Sequence, residues 1–135
     1  MTKEKDHSQH KRVKINILSA DLYEGTDPNG MSDPYCRIGK DGKIGKKWIT
    51  KTKVIQRTLK PNWNEEELFY VSAKKQKLYF EVWDRDPYFD DYMGTFEINA
   101  YECDKYVCHD VDLKKGSKVT GRLLFSISPL HVSPF

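Results

Sequence analysis

Four aspartates fall within eight positions of "VWDRDPYFDDYMG" (82–94): Asp84, Asp86, Asp90 and Asp91. Asp84 and Asp86 stand two apart at the end of an alternating apolar run, so on a strand both side chains leave the same face. Asp90 and Asp91 follow after a loop short enough to fold back toward them. The stretch "EGTDPNGMSDPY" adds Asp27 and Asp33, six apart, with Gly30 between them to permit a sharp turn. If the two stretches adjoin, five or six carboxylates converge, and unpaired they repel and raise one another's pKa values. A hard cation taking six to eight oxygens at about 2.3–2.6 Å removes that repulsion, and calcium fits better than magnesium.

An EF-hand is excluded. Counted from Asp27, the twelfth position is Ile38, where that loop needs an acid; counted from Asp84, the sixth is Phe89 rather than Gly and the twelfth is Thr95. Solvated surface turns would account for either pair of acids alone, but poorly for two such loops in a chain of net charge +3. Tyr88 and Phe89, at the tip of the second loop, are too apolar for an ordinary turn. Rings beside metal-binding carboxylates suit a lipid interface, with Met31 of the first loop as a second contact. The alternative is that the rings pack one loop against the other.

The elements that must position these loops are short strands. "VKINILS" alternates with Val13, Ile15 and Ile17 on one face, and "KLYFEVWD" sets Leu78, Phe80 and Val82 against Tyr79, Glu81 and Trp83. "YCRIG", "KKWITKTKV", "LFYVS", "MGTFEIN", "CHDVDL" and "GRLLFSIS" read as further strands, separated by Gly, Pro, Asn and Asp signals. The irregular stretch before "CHDVDL" could hold one helical turn. About eight strands without a long helix predict an all-β fold, an eight-stranded antiparallel β-sandwich. The expected limits are a flexible polar tail over 1–12, the domain over 13–129, and a C-terminal tail over 130–135.

A basic stripe is the second feature. Between Arg37 and Lys60 nine Lys or Arg face one acid, Asp41. By alternation Lys47, Ile49, Lys51 and Lys53 share a face, opposite Trp48, which makes Lys47, Lys51 and Lys53 a candidate patch for anionic lipid headgroups. A solvated, lysine-protected sheet edge is the plainer reading. Nucleic acid is weaker still and is not predicted as a partner, since Trp48 and Trp63 are expected to pack rather than stack on bases.

Composition bounds the rest. The 135 residues and 15.8 kDa allow one domain with a core. No run approaches the roughly 18 apolar residues of a membrane span, and "MTKEKDHSQHKR" lacks a signal-peptide core, so a soluble cytoplasmic protein is expected. Cys36, Cys103 and Cys108 are an odd number without framework spacing, hence free thiols; "CDKYVCH" lacks a second cluster for zinc. No Ser/His/Asp, Cys/His or phosphate-cradling glycine arrangement appears, and His7, His10, His109 and His131 lie away from the acids, so no enzyme activity is expected.

Three motifs in order now resemble one family, the C2 domains, over roughly Val13 to Pro129. "DPNGMSDPY" is similar to its first calcium loop, "KTKVIQRTLKPNWNEE" to its basic strand and Pro-x-Trp-Asn-Glu connection, and "FEVWDRDPYFDDYMG" to its third loop. The resemblance implies Asp27, Asp33, Asp84, Asp86 and Asp91 as side-chain ligands, with the backbone carbonyls of Thr26 and Arg85. The stretch from Asp86 to Asp91 is one residue shorter than in common members, so Asp90 and Asp91 both stay open as ligands, as does the number of ions. Glu67 stands where relatives place an apolar residue; a bulge or a solvent-facing turn would accommodate it. Entry on "VKINILS" and closure on "VTGRLLFSIS" resemble the circularly permuted type II, Greek-key arrangement, as in the domains that front HECT-type ubiquitin ligases.

What the resemblance implies is a monomeric module that binds anionic phospholipid (phosphatidylserine or phosphoinositide) when calcium, its one cofactor, fills the loops, and that is recruited peripherally from the cytoplasm. The alternative is a calcium-independent scaffold that binds a protein partner or a phosphoinositide through the basic face.

Overall fold

Alternating side chains set the two layers of this molecule. The structure, a computed structural model, describes residues 10–25, 27 and 29–130. Its strands are β1 (His10–Leu22), β2 (Pro34–Asp41), β3 (Lys46–Lys51), β4 (Asn62–Ser72), β5 (Lys77–Asp84), β6 (Asp91–Asn99), β7 (Val107–Lys115) and β8 (Lys118–Pro129). All pair antiparallel in the order β3-β2-β5-β6-β7-β8-β1-β4. β6 and β7 are joined only through Thr95 and Lys114, so the sheet folds there into two four-stranded layers. β5 buries Leu78, Phe80 and Val82 on one face as its alternation requires. The Phe80 ring stacks on Phe125 of the opposite layer with centroids 4.5 Å apart. Together these layers form the eight-stranded antiparallel β-sandwich that the strand pattern predicts.

The first and last strands are neighbours, Val13 opposite Pro129 and Leu22 opposite Gly121, as a permuted chain requires. A bulge at Leu18, between Ile17 and Ser19, moves the inward set from Val13, Ile15 and Ile17 to Ala20 and Leu22. Strand pairing also extends the domain beyond its expected limits: residues 10–12 belong to β1, and Leu130 N–H donates to the Arg12 carbonyl. Backbone bonds to β4 and β8 hold these residues whatever their side chains. Residues 1–9 and 131–135, with His7 and His131, lie outside the described residues.

No helix occurs among the described residues. The 100–106 stretch forms turns instead, because Asn99 Oδ1 accepts the Tyr101 N–H and competes with a helical bond. Glu67 sits neither on a bulge nor on a turn. It alternates inward with Trp63, Glu65, Phe69 and Val71, half-buried, and accepts from Thr50 Oγ1 (3.2 Å); Glu65 accepts from Lys53 N–H (2.9 Å). These two acids, with Lys40 Nζ of β2 donating to the Tyr70 carbonyl (3.0 Å), tie β4 to β2, β3 and the residues that follow β3.

The strand directions sort the connections into two ends. Segments 23–33, 52–61, 85–90 and the 116–117 turn gather at one end. Segments 42–45, 73–76 and 100–106 gather at the other, with the start of β1 and the end of β8.

Candidate metal centre and its surroundings

Both acidic loops stand at the same end. β2 begins and β5 ends there side by side, Pro34 opposite Asp84, and Asp84 in turn lies opposite Asp91 at the start of β6. Asp84 is fully buried, an expensive place for a carboxylate, and one oxygen accepts the Asp33 N–H at 2.7 Å. Asp27 hydrogen-bonds to Asp84. Its carboxyl is pushed up to about 6 by desolvation, then by that bond and the charge of Asp84, with smaller contributions from Asp33 and Asp86. Four acids from two loops therefore feel one another, which is the repulsion that the spacing predicts.

The loops are braced by backbone N–H groups. Arg85 N–H donates to the Asp33 carbonyl (3.0 Å), which ties the two loops together. Tyr88 N–H reaches Asp86 Oδ1 at 3.3 Å. A cleft of about 330 Å³ is bounded by Asp33, Arg85, Asp86 and Pro87 on one side and by Val54 and Gln56 on the other. Among the described residues no three Asp, Glu, His or Cys side chains are grouped closely enough, as placed, to hold one ion. The donor set is all oxygen, anionic and mutually repelling, and in its chemistry it fits a hard divalent cation. Thr26, the expected carbonyl ligand, lies outside the described residues.

Asp90 and Asp91 differ sharply. Asp90 is engaged at both oxygens, by the Tyr35 hydroxyl (2.5 Å) and the Asp86 N–H (3.2 Å). The Tyr35 bond, chiefly, holds the Asp90 carboxyl below the usual range, while burial and the Asp90 contact push the phenol up to about 12. Asp91 is exposed, opposite Asp84, and its side chain forms no hydrogen bond among the described residues.

Sequence reasoning missed two participants. Tyr35 reads as an ordinary strand residue. Arg57, counted in the sequence only as part of the basic stripe, belongs to the 52–61 connection, which lies against the first loop: Arg57 N–H donates to Asp33 Oδ1 (2.7 Å) and Thr58 N–H to the Ser32 carbonyl (2.8 Å). Arg57 takes a left-handed φ of 53° to do so, a conformation that nothing in its residue type announces.

The expected lipid contacts divide. Tyr88 and Phe89 are 87% and 83% exposed and Met31 is exposed too, so the rings do not brace the loops. The lysine row is broken. A bulge at Ile49 places Trp48 opposite Gly39 and Lys51 opposite Arg37, so Trp48 and Lys51 share a face, while Lys47, opposite Lys40, takes the other. Strict alternation had no means of anticipating the extra residue. On the shared face Arg37 lies between Trp48 (3.8 Å) and Trp83 (4.9 Å), and its Nε and Nη2 donate to Glu81 at 3.0 and 2.7 Å. Lys51 lies over Tyr35, near the acidic loops, whereas Lys47 stands toward the other end.

Alternation on β7 sends Cys108 outward and sets His109 against Phe125 (5.0 Å), so they cannot share a metal. All three cysteines are unpaired, and burial pushes the Cys36 thiol up.

Residues 11–120 match the family described as C2 domain. The chain is 33% identical to E3 ubiquitin-protein ligase NEDD4 of Mus musculus over 91 residues, 66% of this chain and 10% of that protein. A C2 domain of plant Extended Synaptotagmin 1 superposes with a TM-score of 0.73 at 27% identity, covering 90% of this chain and 97% of that one. The calcium-bound pair of C2 domains of Extended-Synaptotagmin 2 gives a TM-score of 0.72 at 27% identity, covering 89% of this chain and 45% of that one. The chain spans only 8–10% of the length of the first curated relatives it matches.

Proposed function

The chain belongs to the C2-domain family, and from that premise we propose that it is a calcium-responsive module that binds anionic phospholipid membranes through its acidic end. One observation carries the reading: two acidic loops converge on a buried Asp84 at the end of the sandwich where Tyr88 and Phe89 stand exposed. A C2 domain is a binding module, and no catalytic role is proposed for it.

Asp27 and Asp33 of the first loop and Asp84, Asp86 and Asp91 of the third, with the Thr26 and Arg85 carbonyls, are the residues that would hold calcium. Asp90 is assigned a different part. With both oxygens occupied it braces the loop, and Asp91, unbonded and opposite Asp84, is the better ligand. Calcium, when bound, neutralises the carboxylates and offers open coordination positions to lipid phosphate oxygens. Tyr88, Phe89 and Met31, all exposed, would enter the headgroup boundary, where rings are favoured. Lys51 and Lys53, at the loop end of the basic strand, add attraction to an anionic surface worth about 1 kcal/mol each. Recruitment from the cytoplasm when calcium rises follows as part of the same proposal.

The deciding experiment is co-sedimentation with phosphatidylserine vesicles in calcium, in equimolar magnesium and in chelator. Binding in calcium alone is expected. Equal binding in all three conditions would favour a calcium-independent scaffold working through the basic face.

A further inference from the structure

Tyr88 carries a hydroxyl as well as a ring, and membrane docking uses only the ring. At 87% it is the most exposed of the eight tyrosines, and its hydroxyl forms no hydrogen bond among the described residues. Tyr35 and Tyr79 are held otherwise, their hydroxyls donating to Asp90 and to Asp41. Tyr70 is exposed but locked in β4 opposite Arg12, and the exposed Tyr23 has its N–H bonded to the Thr120 carbonyl (3.0 Å). Tyr106 is exposed too, but it stands beside Lys105 at the end away from the acidic loops.

The main chain around Tyr88 is equally free. From Asp86 to Asp90 no main-chain group bonds to another main-chain group among the described residues. The Asp86 and Tyr88 N–H groups bond only to carboxylates, at 3.2 and 3.3 Å. Such a segment can be drawn out into the groove of another protein, which a residue inside a strand ladder cannot. Carboxylates flank the ring on both sides: Asp84 and Asp86 lie four and two residues before it, Asp90 and Asp91 two and three after. An enzyme with a basic substrate groove is drawn to a segment of that charge.

We propose that Tyr88 is an acceptor site for a tyrosine kinase, and that its phosphorylation releases the module from membranes. The phenol oxygen attacks the γ-phosphorus of ATP, the bond to the leaving ADP breaks, and the phenol proton passes to the catalytic base of the kinase. The product adds a charge of about −1.5 to −2 at pH 7 at the outermost point of the loop. A phosphate on the ring keeps it out of the headgroup boundary, and its charge is repelled by anionic lipid. The carboxylates respond in the opposite sense, because added negative charge nearby does not weaken attraction for a cation. Phosphorylation therefore parts calcium binding from membrane binding, which loss of fold would not do. This consequence rests on the membrane reading of the acidic end; the acceptor site itself does not.

The test incubates the whole chain with a purified tyrosine kinase and magnesium ATP, calcium being chelated, and maps the phosphate by mass spectrometry. Modification of Tyr88 ahead of Tyr23 and Tyr106 is expected. Phosphorylated protein in calcium should then bind vesicles of phosphatidylserine and phosphatidylcholine about tenfold or more weakly. Calorimetry without lipid should show calcium affinity equal or higher. Kinase treatment should leave the vesicle affinity of Tyr88→Phe where it was before treatment. Docking should in turn shield the site: on vesicles in calcium, Tyr88 should be phosphorylated about tenfold more slowly than in solution, and Tyr106 at the same rate. Tyr88 left unmodified while Tyr23 or Tyr106 takes phosphate would overturn the inference. So would phosphate on Tyr88 that leaves calcium-dependent vesicle binding unaltered, or that lowers vesicle and calcium affinity together. Phosphate on Tyr88 in a chain that binds no vesicles in calcium, before or after treatment, would uphold the acceptor site and remove the proposed function instead.

Discussion

At the loop end, six aspartates share two loops and one of them, Asp84, is wholly buried; at the turn end, lysines stand apart in solvent around an exposed isoleucine. Like charges crowded out of water interact strongly, and desolvation together with the neighbouring Asp84 pushes the Asp27 carboxyl up to about 6. Like charges spread over solvated turns barely notice one another. The first arrangement is costly until something neutralises it, so it is suited to switching. The second costs little and is suited to standing attraction. The two ends should therefore answer differently to calcium, salt and mutation.

The sharpest way to break that contrast is Asp84→Asn. Removing the buried charge at the centre of both loops should weaken calcium binding by about a hundredfold or more, roughly 3 kcal/mol, while calcium-free binding to anionic vesicles stays unchanged. Titration calorimetry reads the first quantity and sedimentation in chelator the second; retained calcium affinity would remove Asp84 from the site.

Calcium itself should raise the melting temperature, by an amount equivalent to roughly 2.7 kcal/mol at a hundredfold excess over Kd, and magnesium should do little. A melting curve unmoved by millimolar calcium would break the metal reading.

At the loop tip, Tyr88→Ala/Phe89→Ala should reduce calcium-dependent vesicle affinity about tenfold, because burial of an aromatic side chain is worth up to roughly 1.5–3 kcal/mol and interfacial burial is partial. Calcium affinity without lipid should not change. An equal drop in both would mean that the rings support the loops after all.

Finer still is the comparison of neighbours. Asp91→Asn should weaken calcium binding more than Asp90→Asn. Tyr35→Phe should copy the mild Asp90→Asn effect, since it removes one hydrogen bond to that carboxylate, worth about 1.5–3 kcal/mol at most. Calorimetry that ranked Asp90→Asn first would reverse the assignment. The effect that salt erodes most belongs to Lys51→Ala/Lys53→Ala. A loss of about 1 kcal/mol per lysine at low salt, shrinking as salt rises, is expected in vesicle binding. An unaltered salt slope would make these lysines a solvated face.

The sequence by itself determined much of this protein. Strands with period two, turns marked by Gly, Pro, Asn and Asp, and the two acidic loops are local patterns, because each rests on residues close together in the chain. So do the exposed Tyr88 and Phe89, too apolar for the turn that holds them. Tertiary structure alone decided where the pattern slips. The bulges at Leu18 and Ile49 insert a residue that pairs with nothing, and alternation carries no mark of it, so the lysine row dissolved and Trp48 joined Lys51. Tyr35 and Arg57 entered the candidate site because strand pairing brings Tyr35 to Asp90 and the 52–61 connection lays Arg57 against Asp33, 55 and 24 residues away in the chain. Glu67, out of place in an apolar strand, became reasonable once the opposing edge supplied Thr50. The separation of the molecule into an acidic and a basic end is likewise a product of topology. It depends on which end of each strand every turn occupies, and only the antiparallel order of the folded sheet decides that.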